Sequence, residues 1–124
     1  YGLDLYNRLK EAGYNAQVVP FGGKASETVY LNNRAEMYCT MKKQFEEFGM
    51  IGLNEDMKRE LNATRYILSS SNKIQIIPKS EIKLIVGHSP DTADALALTY
   101  TQPIVPRAIT EYRLRQDRED MRDL

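Results

Sequence analysis

The sequence predicts an α/β fold that is rich in helices and contains a small number of strands. A helical pattern over residues 4–12 runs directly into a strand-like segment at 14–19, the order typical of α/β proteins. A long amphipathic helix is predicted over residues 27–48. Two short strands, 65–68 and 73–77, are separated by a serine-rich turn and predict a hairpin.

The boundaries of the first two elements follow from side-chain spacing and from glycine and proline. Leu5 and Leu9 recur at i and i+4, and Gly13 follows where a helix usually stops. The strand at 14–19 is then expected to end at Pro20, which lacks a backbone N–H for the ladder.

The long helix is predicted from an apolar stripe with lysine and glutamate on the opposite side, the stripe being Met37, Tyr38, Met41, Phe45 and Phe48. Gly49 is expected to close it. Asn54 is a plausible N-cap for a further helix that ends near residue 63. A short helix over residues 80–86 is expected to break at Gly87.

The last core helix carries clear start signals. Ser89 suits the N-cap, Pro90 suits the first helical position, and Asp91 complements the helix dipole. Because residues 93–100 are apolar nearly all round, we expect this helix to be buried.

Charge and cysteine content limit the classes of function. The 124 residues carry 17 basic and 17 acidic side chains, so DNA binding would depend on a local patch and not on bulk charge. No run approaches the roughly 18 apolar residues needed to cross a bilayer. No membrane association is therefore expected. The single Cys39 cannot form an intrachain disulfide, which fits a reducing interior, and we expect a cytoplasmic location in a host or bacterial cell. Residues 107–124 are predicted to be a charged helical or frayed tail.

Asp91 and Asp94 are the first candidate site residues. They lie three residues apart on one predicted helix, on a face expected to include Ala95 and Leu98. Buried carboxylates need a compensating charge, and Mg²⁺ or Mn²⁺ would suit ligands that are all oxygen. The alternative is that Asp91 only caps the helix and that Asp94 pairs with a lysine.

Basic residues give a second set of candidates. Arg34, early in the long helix, is a candidate phosphate contact or else a solvated surface charge. Lys79 and Lys83 could neutralise phosphate or an acid, or lie on the surface as ordinary lysines. His88 is interpreted as a surface or capping residue, and with one His and one Cys a zinc site is not expected.

Together these segments resemble the nuclease domain of tailed-phage terminase large subunits, a branch of the RNase H-like fold. The resemblance covers residues 1–106 and is carried by six pieces in order: Tyr1-Gly2-Leu3-Asp4, Gly13 with the strand at 16–19, Asn32-Asn33-Arg34-Ala35-Glu36-Met37-Tyr38, Glu60-Leu61, the hairpin, and Ser89-Pro90-Asp91-Thr92-Ala93-Asp94-Ala95-Leu96-Ala97-Leu98-Thr99.

The resemblance implies a metal-dependent endonuclease that cuts concatemeric phage DNA during packaging. Such enzymes hold two Mg²⁺ or Mn²⁺ ions with clustered acids, one ion activating water and the other stabilising the leaving oxygen. Asp91 matches the last acid of that cluster, as catalytic residue and metal ligand, and Asp94 is an outer ligand or structural. Implied partners are double-stranded DNA, other terminase subunits and the portal.

The sequence also departs from the family pattern. The first two acids of the family would fall before Tyr1, and the ATPase domain is absent. We therefore expect a C-terminal part of a partial RNase H-like domain that is inactive alone and covers its apolar faces by self-association. The alternative is a non-enzymatic protein- or DNA-interaction module.

Overall fold

A computed structural model describes residues 2–101, 115–116 and 118–122 of the chain. Within residues 2–101 five helices and one hairpin follow one another along the chain: α1 (Gly2–Glu11), α2 (Asn33–Phe48), α3 (Glu55–Ala63), β1 (Tyr66–Leu68), β2 (Ile74–Ile76), α4 (Lys79–Val86) and α5 (Asp91–Leu98). The prediction of a mixed fold that is rich in helices and includes a hairpin is confirmed at this coarse level.

Local capping explains where α2 and α3 begin and end. The Asn32 side chain accepts a hydrogen bond from Ala35 N–H at the start of α2, and Gly49 ends that helix with φ 72°. Asn54 accepts from Met57 N–H at 2.8 Å, so the predicted N-cap of α3 is confirmed.

The predicted start of the long helix at residue 27 is wrong, because α2 begins at Asn33. The preceding backbone has other partners: Val29 O accepts from Ile74 N–H at 2.9 Å, and Leu31 N–H donates to Ile74 O at 2.8 Å. Pairing with β2 thus holds this segment extended, and a tertiary contact overrides the helical tendency.

Glu36 secures the loop that precedes α2. Its carboxylate accepts from Ser26 N–H at 2.7 Å, from Ser26 Oγ, and from Glu27 N–H at 3.1 Å. Burial alone would raise the pKa of Glu36, but the hydrogen bonds from Ser26 and Glu27 outweigh it and lower the pKa.

The hairpin is antiparallel, with Tyr66 opposite Ile76 and Leu68 opposite Ile74. Asn72 has φ 62° in the turn, a left-handed conformation that asparagine tolerates better than most residues. A parallel bridge between Tyr30 and Ile74 adds a short third segment beside β2. β2 therefore has neighbours on both sides, whereas β1 lies at the edge.

The predicted strand at 14–19 is wrong. Among the described residues nothing pairs with this segment, so its backbone lacks the partner that a strand requires. It lies beside α1, and no residue of α1 is buried.

Two apolar clusters form the core. The larger lies between α2, β2 and α5 and contains Ala25, Tyr30, Ala35, Met37, Tyr38, Met41, Ile76, Ala93 and Ala97. The smaller joins α3 to α4 through Ala63, Ile77 and Ile82. These clusters fix α5 against α2 and α3, the geometry on which the candidate site depends.

The last helix differs from prediction at its start and in its burial. Pro90, not Ser89, occupies the N-cap position, and α5 begins at Asp91. Only one side of the helix is buried, because α2 and α3 cover that side and leave Ala95 and Leu98 exposed.

None of the helices in the described ranges is long and apolar enough to cross a membrane. Of the predicted tail at 107–124, residues 115–116 and 118–122 are helical and exposed, and the remainder lies outside the described residues.

Candidate functional site

Helix α5 separates its two acids into different environments. Asp94 is buried together with Ala93 and Ala97, whereas Asp91 is exposed at the first position of the helix. The expected shared face with Ala95 and Leu98 is wrong for Asp94, because that face points away from the core.

The buried carboxylate of Asp94 has three partners on other helices. Tyr38 donates its hydroxyl hydrogen to Oδ1 at 2.6 Å, Lys79 Nζ lies 2.7 Å from Oδ2, and Arg34 Nε lies 3.9 Å from Oδ1. The lysine contact is an ion pair, not an aligned hydrogen bond. We call Arg34, Tyr38, Lys79 and Asp94 the Asp94 cluster. The alternative in which Asp94 pairs with a lysine is thereby confirmed.

Tyr38 is held as a hydrogen-bond donor by its surroundings. Burial raises the pKa of its hydroxyl well above the ordinary value, and the hydrogen bond to Asp94 and the negative charge of Asp94 raise it further. The positive charge of Arg34 opposes this shift without reversing it. Tyr38 therefore stays protonated and keeps its bond to Asp94.

Arg34 lies inside the fold and not on the surface, so its expected role as a solvated surface charge is wrong. Its side chain is 11% exposed, and Nη1 donates to Ile77 O at 2.9 Å. The guanidinium also lies 5.6 Å from the centre of the Tyr38 ring, within cation–π range.

Lys79 and Lys83 lie one turn apart on α4 but differ in environment. Lys79 is half-exposed, pairs with Asp94 and lies 5.2 Å from the Phe21 ring centre. Lys83 is exposed. Of the three basic residues predicted to contact DNA, the structure brings Arg34 and Lys79 to Asp94 and leaves Lys83 on the surface.

Glu60 on α3 is a buried acid that the sequence analysis named as part of the family resemblance but not as a candidate site residue. Its side chain is 1% exposed, its Oε1 accepts from Thr92 N–H at 3.4 Å, and His88 Nδ1 lies 4.0 Å from Oε1. A signal was present, because Glu60 lies at i+3 from Met57 and i−3 from Ala63, on the apolar side of α3.

Tyr38 was predicted only as part of an apolar stripe, and its hydroxyl partner was missed. It lies one turn after Arg34, so the two side chains share one side of α2. A tyrosine hydroxyl on a buried face usually has a partner, and that rule pointed to an unidentified acceptor.

The acids of the described residues do not form a complete two-metal site. Asp91 Oδ1 accepts from Ser89 Oγ at 2.8 Å and is otherwise open to solvent, whereas the Asp94 carboxylate is engaged by cations and Tyr38. Nowhere in the described ranges do three or more histidine, cysteine, aspartate or glutamate side chains group around a point suited to a metal. Asp91 could supply one carboxylate to a metal site.

A groove of about 650 Å³ runs between α2, α3 and the hairpin. Apolar side chains line its floor, including Phe45, Leu61 and Tyr66. Lys42, Lys58 and Arg65 also line it. The groove is thus an apolar surface with basic residues. It shares Tyr38 with the Asp94 cluster and is otherwise separate from it.

Comparison of the chain with protein-family models, with curated proteins and with solved structures gives no significant match. The resemblance to terminase nuclease domains therefore rests on the sequence segments that carry it.

Proposed function

We propose that this chain is part of the nuclease domain of a phage or prophage terminase large subunit. In this proposal the domain has an RNase H-like fold and acts as a metal-dependent endonuclease on concatemeric DNA during packaging. The observation that carries it is the exposed carboxylate of Asp91 at the first position of α5, near a second acid, Asp94, whose charge is already neutralised.

The Asp94 cluster supports the proposed role of Asp91 because it holds α5 in a fixed position. Tyr38, Arg34 and Lys79 come from α2 and α4, and all three reach the same carboxylate on α5. A metal ligand has to be held in place by neighbouring groups, and a helix anchored one turn away provides such support. Asp94 is then a structural residue, and Asp91 is the ligand.

The described residues do not fit two metal ions, so no step of cleavage is assigned to them. In the proposal Asp91 contributes one ligand to a Mg²⁺ or Mn²⁺ site, and further acids outside the described residues complete it. The 124-residue chain alone is accordingly proposed to be inactive.

Contact with DNA is proposed to occur through a local basic patch. Lys83 is exposed one turn after the half-exposed Lys79, on the helix that leads into the loop before Asp91. Because the net charge is zero, such contacts would be few and the affinity strongly dependent on salt.

The test is plasmid cleavage by the complete protein encoded by the gene that contains this sequence, with Mn²⁺ or Mg²⁺. Asp91→Asn should abolish cleavage, whereas Glu81→Gln, at an exposed acid on α4, should not. Cleavage that is unaffected by Asp91→Asn would reject the assignment.

A non-enzymatic interaction module is the second candidate, favoured by exposed apolar residues. Ile51 is 95% and Leu84 is 88% exposed, and all three residues of β1 are exposed. Such side chains support contact with other terminase subunits, the portal or a second copy of this chain. Light scattering that shows a monomer at high concentration would count against self-association.

A further inference from the structure

The first turn of α5 has no side-chain cap of its own. Pro90 occupies the N-cap position without a side-chain hydrogen bond, and Ser89 Oγ donates to the Asp91 carboxylate. The first N–H groups of a helix have no partners within the helix, and they need acceptors where they are buried. Asp91 N–H donates to Ser89 O at 2.8 Å, whereas the acceptor of Thr92 N–H lies on another element.

Glu60, near the end of α3, supplies that acceptor. Its Oε1 accepts from Thr92 N–H at 3.4 Å, which is a long hydrogen bond, and its side chain is 1% exposed. A buried carboxylate is costly unless positive charge or donors lie nearby, and the start of a helix carries partial positive charge. The negative charge of Glu60 therefore lies beside the partial positive charge at the N-terminus of α5.

The charge of Glu60 also reaches the Asp94 cluster, through its effect on Tyr38. Its charge and that of Arg34 both act on the Tyr38 hydroxyl. Within the described part of the chain, Glu60 Oε2 and Arg34 Nε and Nη2 are buried without a hydrogen-bond partner.

We infer that Glu60 is a positioning residue for Asp91, an inference that rests on the proposed function. The N–H of Thr92 belongs to the peptide unit that begins at the carbonyl of Asp91. A hydrogen bond to that N–H fixes the backbone of Asp91 from α3, while the Asp94 cluster fixes the same helix one turn further on. The two anchors together set the direction in which the Asp91 carboxylate points.

Amide hydrogen exchange tests the hydrogen bond between Thr92 N–H and Glu60 independently of catalysis. Glu60→Ala should speed exchange at Thr92 roughly tenfold, and Glu60→Gln by less, because the amide keeps an acceptor oxygen. Glu55→Gln, at an exposed residue of the same helix, should leave Thr92 unchanged. If Glu60→Ala speeds amide exchange throughout the protein, the exchange rate of Thr92 in Glu60→Gln is the test. Unchanged exchange at Thr92 in Glu60→Gln and in every folded Glu60 variant overturns the inference.

Metal dependence of DNA cleavage by the complete protein tests the consequence for Asp91. Glu60→Gln should raise the Mn²⁺ concentration for half-maximal cleavage roughly tenfold, with activity regained at saturating Mn²⁺. A purely structural role would lower cleavage equally at every Mn²⁺ concentration, and that result would overturn the inference. If the unmodified protein cuts no DNA, the proposed function fails, and the exchange measurement still decides whether Glu60 anchors α5.

Discussion

The hydroxyl of Tyr38 donates a 2.6 Å hydrogen bond to Asp94 Oδ1 and so joins α2 to α5 inside the core. The two residues lie 56 positions apart in the sequence. Lys79 and Arg34 approach the same carboxylate from other directions, so one acid connects three helices.

Removing the Tyr38 hydroxyl should destabilise the fold. Tyr38→Phe leaves the buried Asp94 carboxylate without its shortest hydrogen bond, and bonds to charged groups contribute about 1.5–3 kcal/mol. We expect the free energy of unfolding in urea to fall by about 2 kcal/mol. Tyr66→Phe is the matched control, because that side chain is exposed, and its effect should stay within about 0.5 kcal/mol. Equal effects of the two substitutions would contradict the prediction.

The two acids of α5 should differ in their effect on stability. Asp94→Asn removes the anion shared by Arg34, which is 11% exposed, and the half-exposed Lys79. Because the Arg34 charge is then left largely buried without its partner, we expect a loss of about 3 kcal/mol. Asp91→Asn removes an exposed carboxylate and should cost less than about 1 kcal/mol. Urea unfolding of both variants at neutral pH provides the measurement. A larger loss for Asp91→Asn would reverse the roles assigned here.

Stability should fall at high pH because of Tyr38. Its pKa is raised in the folded protein, so above about pH 10 the unfolded chain loses this proton while the folded chain keeps it. The contribution of Tyr38 is fully present below that pH, and each unit of pH above it lowers the free energy of unfolding by about 1.4 kcal/mol.

Tyr38→Phe should remove this part of the pH dependence. Burial also raises the pKa of Cys39, but Cys39 is present in both proteins, so the difference between them isolates Tyr38. Parallel slopes for the two proteins between about pH 10 and pH 11 would show that Tyr38 ionises equally in both states.

The three basic residues predicted to contact DNA should separate into two groups. Lys83→Ala should weaken DNA binding and lower its dependence on salt concentration while leaving stability unchanged, because Lys83 is exposed. Arg34→Ala should instead lower stability, since Arg34 is buried and donates to Ile77 O. Fluorescence anisotropy with short duplex DNA over a range of salt, paired with urea unfolding, distinguishes the two. A pronounced loss of affinity in a fully stable Arg34→Ala protein would show that Arg34 contacts phosphate directly.

Local signals in the sequence were sufficient to predict those elements whose first and last residues are determined by neighbouring residues in the chain. The Asn54 cap of α3, the hairpin and the helix break at Gly87 could be predicted because each depends on a few adjacent positions. The segment at 14–19 could not, because a strand needs a partner that local pattern does not reveal.

The candidate site shows the same limit. The spacing of Asp91 and Asp94 placed both on one helix, but which of them is buried depends on the direction from which α2 and α3 pack. The partners of Asp94 lie on α2 and α4, and Glu60 reaches α5 from α3. Contacts between residues so far apart in the chain are set by the tertiary fold, and a single sequence supplies no rule for them.

We propose that Asp91 holds a divalent metal and that Asp94 does not. Crystals of the complete protein soaked in Mn²⁺ test this proposal through anomalous difference density. We expect a peak about 2.1 Å from an Asp91 carboxylate oxygen, lost in Asp91→Asn, with no peak at Asp94. A Mn²⁺ peak on the Asp94 carboxylate, or one that persists unchanged in Asp91→Asn, would contradict it.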